Sequence, residues 1–264
     1  MFSISKLETM TRMGFGARGA LYCIIGYLAL RVGRTEDAAG AIDYLASGSG
    51  KAVMLLIALG LLGYGVWRIS EAFIDTEGHG SDAKGWAVRA GGIASGLFHL
   101  GLCYGAAKLV FDFGGDDGSP DGAVAGARAA MAYPGGATLV TLFAVVLALT
   151  GLYQAVKAIK LGFLRYLDPQ AARLRWVQWV GRLGYLARGV VFVVMGWFLW
   201  NAGLAARASE AGSMDEALDA LPPTLRALVA GGLFAFGIFS FVEARYRRIT
   251  DHDVIDRLKR WVRS

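Results

Sequence analysis

The stretch Arg12-Met-Gly-Phe-Gly-Ala-Arg-Gly19 decides the fold, because the chain repeats it twice more. Related stretches stand at Arg89-Ala-Gly-Gly-Ile-Ala-Ser-Gly96 and at Arg182-Leu-Gly-Tyr-Leu-Ala-Arg-Gly189. All three read Arg-x-Gly-x-x-Ala-x-Gly, and we call them the opening phrases. Recurrence of one pattern along a chain indicates tandem copies of a single structural unit.

A second repeated stretch, the closing phrase, follows each opening phrase. It reads Gly65-Val-Trp-Arg-Ile-Ser-Glu-Ala72, then Gly151-Leu-Tyr-Gln-Ala-Val-Lys-Ala158, then Gly237-Ile-Phe-Ser-Phe-Val-Glu-Ala244. Each copy has glycine first, an aromatic residue third and alanine eighth. Each unit is therefore predicted to be a pair of helices, one carrying each phrase. The predicted repeats span residues 12–75, 88–160 and 182–248.

The composition places these helices in a membrane. Hydrophobic residues make up 55% of the 264, charged residues only 18%, and the mean hydropathy is +0.46. The apolar residues gather into blocks of about 20, the length that spans a bilayer core of about 30 Å. The sequence therefore predicts an all-α membrane protein with six transmembrane helices. The six blocks lie near residues 16–34, 52–74, 88–111, 135–160, 184–205 and 225–246.

The relation between the repeats follows from the number of spans in each unit. A two-helix unit returns the chain to its starting side, so the three repeats are predicted to be parallel, related by an axis along the membrane normal. Gly14, Ala17, Gly19 and their counterparts recur at one depth. Small residues let membrane helices approach closely, so we interpret them as packing positions, with a substrate path as the alternative.

Basic residues are distributed unevenly between the predicted loops. Seven lie toward one side, which leaves 20 of the 27 lysines and arginines on the side that holds both termini. Because cytoplasmic loops are enriched in these residues, both termini are predicted to be cytoplasmic. The excess of positive charge thus reflects topology, and nucleic-acid binding is not expected.

Shorter helices are predicted outside the spans. Segments within 41–46, 127–132 and 214–221 fit brief amphipathic helices between the two members of each pair. Residues 168–181 and 250–263 mix tryptophan with arginine and fit helices in the lipid interface, where anionic lipids attract positive charge. A docked partner helix is the alternative for both.

Ionisable residues inside the membrane are the first candidates for a functional site. The seventh opening residue is Arg18, Ser95 or Arg188, and the seventh closing residue is Glu71, Lys157 or Glu243. Where the first is arginine, the second within the same repeat is glutamate. This pattern predicts two ion pairs, Arg18 with Glu71 and Arg188 with Glu243, each joining the two helices of one repeat. Arg68, three residues before Glu71, is expected to share that carboxylate.

Few residues point to chemistry. His99 lies in the third span and is a candidate haem ligand or proton relay, although haem usually takes a second ligand or a dedicated pocket. Nucleotide-binding loops and metal-ligand spacings do not occur. We therefore expect no cofactor, no metal and no enzymatic activity.

The phrases resemble a known bacterial membrane family. Gly-Phe-Gly-Ala-Arg-Gly at 14–19, Gly-Tyr-Gly-Val-Trp-Arg at 63–68 and the segment 236–248 are similar to the family catalogued as domain of unknown function 1206. The resemblance covers roughly residues 10–250. The second repeat departs from it, with Ser95 in place of arginine and no Trp-Arg after Gly151. The resemblance implies a six-helix bundle in a bacterial cytoplasmic (inner) membrane, and it implies no substrate.

Three classes of function remain open. The first is a non-enzymatic accessory or scaffold subunit that binds membrane lipids or a larger membrane-protein complex. The second is a channel or transporter for an ion or small molecule, which the repeat symmetry and the charged residues at equivalent depths favour. The third is an intramembrane enzyme built around His99 or the carboxylates.

Overall fold

A computed structural model describes residues 4–32, 35–48, 51–75, 80–111 and 122–248 of the protein. Within these ranges the chain is helical, and its sole β-type pairing is an isolated antiparallel bridge between Leu167 and Arg247. The helices are α1 (Ile4–Tyr27), α2 (Ala38–Gly48), α3 (Lys51–Ile74), α4 (Ala83–Phe111), α5 (Gly122–Met131), α6 (Gly136–Ile159), α7 (Pro169–Ala172), α8 (Arg175–Ala205), α9 (Met214–Asp219) and α10 (Pro223–Tyr246).

Six of these helices are long and apolar enough to cross a membrane, which confirms the predicted number of spans. They are α1, α3, α4, α6, α8 and α10, and α1 continues through a π-helical turn at Leu28–Val32. Each repeat contributes two of them. The short helices α2, α5 and α9 lie between the two members of each pair, as the sequence predicted.

The segment 168–181 differs from its prediction. Asp168 caps a helix that begins at Pro169, since its Oδ1 accepts a hydrogen bond from the backbone N–H of Gln170 at 2.9 Å. That helix ends at Ala172, however, and Arg175 begins the 31-residue helix α8. The expected separate interfacial helix is therefore wrong, because its second half forms the first two turns of α8. The predicted helix over 250–263 lies outside the described residues.

The spans pack in the order α4–α3–α1–α10–α8–α6. The row is curved. Arg188 of α8 reaches past α10 to the ring of Tyr22 on α1, with its guanidinium carbon 5.5 Å from the ring centre, and a straight row would not allow this contact. Three of the five contacts join different repeats: α1 with α10, α4 with α3, and α8 with α6. We call these three the inter-repeat crossings.

A pair of glycines lies at the centre of each inter-repeat crossing. One is the eighth opening residue and the other is the first closing residue of a different repeat. A Cβ atom on either member would lie 2.7–3.0 Å from the carbonyl oxygen of the other, so any side chain there would push the two helices apart. The backbones therefore meet directly, and the phrases recur because they pack against each other. The pairs are Gly19 with Gly237, Gly96 with Gly65, and Gly189 with Gly151.

The helices within a repeat pack in the first and third copies only. In the third, a Cβ on Gly184 would lie 2.6 Å from the Cα of Phe236, and one on Gly232 would lie 2.5 Å from the Cβ of Ala187. In the second repeat, a Cβ on Gly91 would meet nothing within 4 Å, and Val146, at the position of Gly232, is 57% exposed. The curved row is therefore open between α4 and α6, and we call this gap the open side.

Substitution of Gly189 by alanine tests the inter-repeat crossing. Alanine is the better helix former by about 1 kcal/mol, but at Gly189 its methyl group would push α6 and α8 apart, an overpacking cost of about 1–3 kcal/mol. We expect Gly189→Ala to lower the thermal unfolding midpoint in detergent. Gly101→Ala is the control, since a Cβ there meets nothing within 4 Å, and it is expected to leave the midpoint unchanged or raise it. Equal changes of the unfolding midpoint in the two variants would contradict direct backbone contact at Gly189.

Asp37, which precedes α2 outside the spans, gives the fold a dependence on pH. Burial raises the pKa of this carboxyl above its usual value, repulsion from Asp215 and Glu36 adds to the rise, and the backbone N–H groups of Gly40 and Ala39 oppose it. A pKa raised by folding means that the folded state gains stability as the pH falls from neutral through that pKa.

We expect Asp37→Asn to raise the unfolding midpoint by a few degrees at neutral pH and to flatten its rise on acidification. Asparagine keeps the oxygen that accepts from the N–H of Gly40 at 2.9 Å, so the helix cap is retained. A thermal melt series between neutral pH and about pH 4, run on both proteins, measures the difference. An unchanged pH profile in the variant would contradict this role of Asp37.

Candidate functional site

The inter-repeat crossings place the charged ends of the phrases against each other. The Arg12 Nη1 donates to the backbone carbonyls of Ala244 and Arg245, both at 2.8 Å. Arg89 does the same at the end of α3, with its Nε 2.5 Å from the carbonyl oxygen of Ala72. In the first two repeats, the first opening residue thus caps the C-terminus of a helix from another repeat, where cations are favoured by the unpaired carbonyls and the helix dipole.

Arg18 is the centre of the crossing between α1 and α10. Its side chain is buried, and its Nη2 forms an ion pair with the carboxylate of Glu243. Its Nε donates to the hydroxyl of Ser240 at 3.1 Å and its Nη1 to the hydroxyl of Tyr64 at 2.7 Å. The guanidinium carbon also lies 5.0 Å from the ring centre of Phe236. Every nitrogen of this guanidinium therefore has a partner, as a buried charge requires.

Arg247 closes the same cluster from the C-terminal end of α10. Its Nη1 lies 2.5 Å from Oε1 of Glu243, so one carboxylate holds two arginines. Its guanidinium carbon lies 4.9 Å from the ring centre of Phe15 and 5.2 Å from that of Trp67. Only 8% of Arg247 is exposed. Residues from α1, α3 and α10 are thus held together around a single carboxylate.

The predicted ion pairs within each repeat are wrong. Arg18 pairs with Glu243 instead of Glu71, and Arg188 makes no ion pair with Glu243. The reason is the packing order: the seventh opening residue faces the seventh closing residue of a different repeat. The expected link between Arg68 and Glu71 is confirmed, with 3.7 Å between Nη1 and Oε2.

The crossing between α6 and α8 has a different composition. The positions that hold Glu243 and Ser240 in the α1–α10 crossing hold Lys157 and Gln154 here. Arg188 lies against aromatic rings, with its guanidinium carbon 4.4 Å from the ring centre of Phe236 and 5.0 Å from that of Phe192. This crossing therefore combines two cations, where the equivalent one combines a cation with a carboxylate.

His99 lies near the arginines but serves the structure of its own helix. Its Nδ1 is 2.7 Å from the carbonyl oxygen of Ser95, one turn earlier, and its ring centre is 4.5 Å from that of Tyr64. In the part of the chain that the structure describes, no group of three or more histidine, cysteine or acidic residues is placed to hold a metal ion.

Several residues of this site gave no signal in the sequence. Tyr64 and Ser240 are ordinary span residues until the crossings place them beside Arg18, and Gln154 is one until packing buries its amide. Arg247 stands in a basic run that also fits a cytoplasmic loop. A match of each opening phrase with the closing phrase of another repeat contains the Arg18–Glu243 pair, but the charges alone do not select it over the match within one repeat.

The fold and the site define a multi-pass membrane protein built from three helix-pair repeats joined by paired glycines. The chain belongs to the family described as Domain of Unknown Function (DUF1206), whose model matches residues 13–75, 90–160 and 183–247. It is also similar to a protein of Bacillus subtilis (strain 168) that carries the name "Uncharacterized protein YxxB", with 27% identity over 257 residues and 92% of each chain covered. No solved structure matches the chain.

A double-mutant cycle on Arg18 and Glu243 tests the ion pair between repeats. Removing either partner leaves the other charge buried, so Arg18→Met and Glu243→Gln are each expected to cost about 3–5 kcal/mol of unfolding free energy. The double variant is expected to lose less than the sum, with a coupling of about 1 kcal/mol or more. Denaturation in mixed micelles measures all four proteins.

The matched control is the cycle of Arg18→Met with Glu71→Gln, the pair that the sequence predicted. We expect its coupling energy to stay below about 0.5 kcal/mol, the usual limit for groups that share no direct interaction. A larger coupling energy of Arg18 with Glu71 than with Glu243 would support the ion pair within the first repeat and contradict the pair between repeats.

Proposed function

We propose that the protein is a non-enzymatic accessory protein of the bacterial cytoplasmic membrane that holds membrane lipid at the open side of its second repeat. The observation that carries this proposal is the separation of α4 and α6, since the two other repeats close the equivalent contact. A gap between two spans in a bilayer is filled by lipid chains or by another protein. A larger membrane complex that docks there is the other form of the same proposal.

The apolar surfaces beside the gap support this proposal. Leu142, Val146 and Leu149 on α6 are each 57–59% exposed, and Leu97 and Phe98 on α4 are 57–58% exposed. Such surfaces suit acyl chains and offer no hydrogen bonds to a polar solute. A channel or transporter is the alternative, and the buried, fully partnered Arg18 argues against a polar path along the α1–α10 crossing.

The orientation belongs to the same proposal. With 20 of 27 lysines and arginines on the side of the termini, both ends of the chain are placed in the cytoplasm. Labelling of single cysteines in intact cells tests this orientation. A cysteine in 112–121 is expected to react with an impermeant maleimide, and one in 76–79 is expected to react only after the membrane is broken.

Disulfide trapping tests the open side. In a background with Cys23 and Cys103 replaced by alanine, Ala94→Cys with Val146→Cys is expected to remain uncrosslinked in native membranes. The matched pair in the third repeat, Ala187→Cys with Gly232→Cys, is expected to crosslink. Its two β carbons would start 2.5 Å apart, and a helix displacement of about 1 Å brings them to the roughly 3.5–4.5 Å of a disulfide. Efficient crosslinking of both pairs would show a closed second repeat and remove the basis of the proposal.

Lipid retention tests the function itself. The protein is taken from native membranes into polymer-bounded discs and then into mild detergent, and native mass spectrometry identifies what stays bound. We expect at least one lipid to remain after detergent exchange, or a protein partner at fixed stoichiometry. A bare chain, together with solute flux after reconstitution into liposomes, would favour the channel or transporter.

A further inference from the structure

The second and third repeats meet at a crossing that carries two basic residues, Arg188 and Lys157. At the α1–α10 crossing, Arg18 has a carboxylate from Glu243 and a hydroxyl from Ser240. At the α6–α8 crossing, the glycine contact is the same, but the equivalent positions are Lys157 and Gln154. Arg188 therefore occupies the place of a paired arginine without the protein carboxylate that pairs it.

The polar atoms of Arg188 and Gln154 have no partners among the described residues. Arg188 forms no ion pair within 4.0 Å, and its buried Nε makes no hydrogen bond. Gln154 is only 6% exposed, and neither its Oε1 nor its Nε2 has a hydrogen-bond partner. Unpaired polar groups are costly in a membrane interior, and the rings of Phe236 and Phe192 offset only part of that cost.

Lys157 brings the end of this cluster close to the level of the lipid headgroups. Lys157 stands two residues before the end of α6, and the equivalent Glu243 meets Arg18 near the end of α10. The Lys157 ammonium lies 4.8 Å from the ring centre of Tyr185 and 5.2 Å from that of Tyr166. Charged groups within about one turn of a span end reach the level at which the phosphates of the bilayer lie.

A ligand would reach this cluster from the bilayer, through the open side. The open side separates α4 from α6, and α6 carries both Lys157 and Gln154. A ligand that enters there must be soluble in the membrane and must carry a group that pairs with a guanidinium. Both requirements are met by an acyl lipid with an oxyanion, because phosphate and carboxylate accept two parallel hydrogen bonds from arginine.

We infer that Arg188, Gln154 and Lys157 form a binding site for the oxyanion of an anionic membrane lipid, which enters through the open side. Arg188 supplies the charge and a planar pair of donors, and the Gln154 amide supplies a further donor. The acyl chains lie along the exposed apolar face of α6. The inference rests on the proposed function and adds the class of lipid to it.

The test compares lipid binding by Arg188→Gln with binding by Arg175→Gln. Both variants remove one positive charge from α8, but Arg175 is exposed and is a control for diffuse attraction to anionic lipid. Protein in neutral detergent is titrated with phosphatidylglycerol, phosphatidylcholine, a fatty acid or inorganic phosphate, and binding is followed by native mass spectrometry and thermal unfolding. We expect phosphatidylglycerol to bind the native protein, and Arg188→Gln to weaken it about tenfold, the effect of one charged hydrogen bond.

Stability without added lipid separates binding from a structural role. Arg188→Gln removes a half-buried charge that has no carboxylate partner among the described residues, so its unfolding midpoint in neutral detergent is expected to equal or exceed that of the native protein. Arg18→Gln, which breaks the paired cluster, is expected to lower it. Gln154→Leu is expected to weaken phosphatidylglycerol binding without lowering the midpoint. Loss of stability in Arg188→Gln with unchanged lipid binding would overturn the site.

The remaining outcomes separate this inference from the function that it rests on. Retention of phosphatidylcholine as tightly as phosphatidylglycerol, with no effect of Arg188→Gln, would overturn the anion site and leave the lipid-holding function standing. Retention of no lipid at all would overturn both. Binding of inorganic phosphate that is lost in Arg188→Gln, without a preference among lipids, would overturn the lipid as the source of the oxyanion. A preference for the fatty acid would support the site and assign a carboxylate to it.

Discussion

Direct contact between glycine backbones at the three inter-repeat crossings is the constraint on which the rest of the structure depends. In a bilayer no hydrophobic force drives apolar helices together, so close backbone approach and interhelical polar contacts must hold them. Each crossing uses one glycine from each phrase, and a methyl group on either would collide with a carbonyl oxygen of the other helix. At the α1–α10 crossing the same approach brings the seventh residues of the two phrases, Arg18 and Glu243, into contact. Packing and electrostatics are therefore coupled at that crossing.

The three crossings share one backbone contact but differ in charge. Arg18 and Glu243 form an ion pair, Glu71 pairs with Arg68 in its own helix, and the crossing of Arg188 has Lys157 at the position equivalent to Glu243. These differences at equivalent positions fit a structural role for the α1–α10 crossing and a binding role for the α6–α8 crossing. The charge excess lies beside the repeat whose two helices have separated. A ligand site and its route of entry thus fall in the same part of the molecule.

Much of the candidate site follows from the sequence, but its connections do not. Arg18, Glu71, Arg188, Glu243 and Arg68 are all recognisable as ionisable residues within apolar spans. Their pairing is not recognisable, because each span has two antiparallel neighbours that place charges at the same depth. A match of charges within one repeat and a match between repeats are equally compatible with the phrases. Gln154, Tyr64 and Ser240 become relevant only through the neighbour that the packing gives them.

The sequence by itself determined the six spans, the three-part repeat and the family, because apolar length and phrase recurrence are local properties of the chain. The tertiary structure alone decided that opposite phrases meet between repeats and that the second repeat is open. The opening has a local cause that can be identified once the structure is known. Gly232 and Phe236 join the two helices of the third repeat, and the second repeat has Val146 and Thr150 at these positions. The sequence of the second repeat does not show that this contact is absent until the third repeat has shown which residues make it.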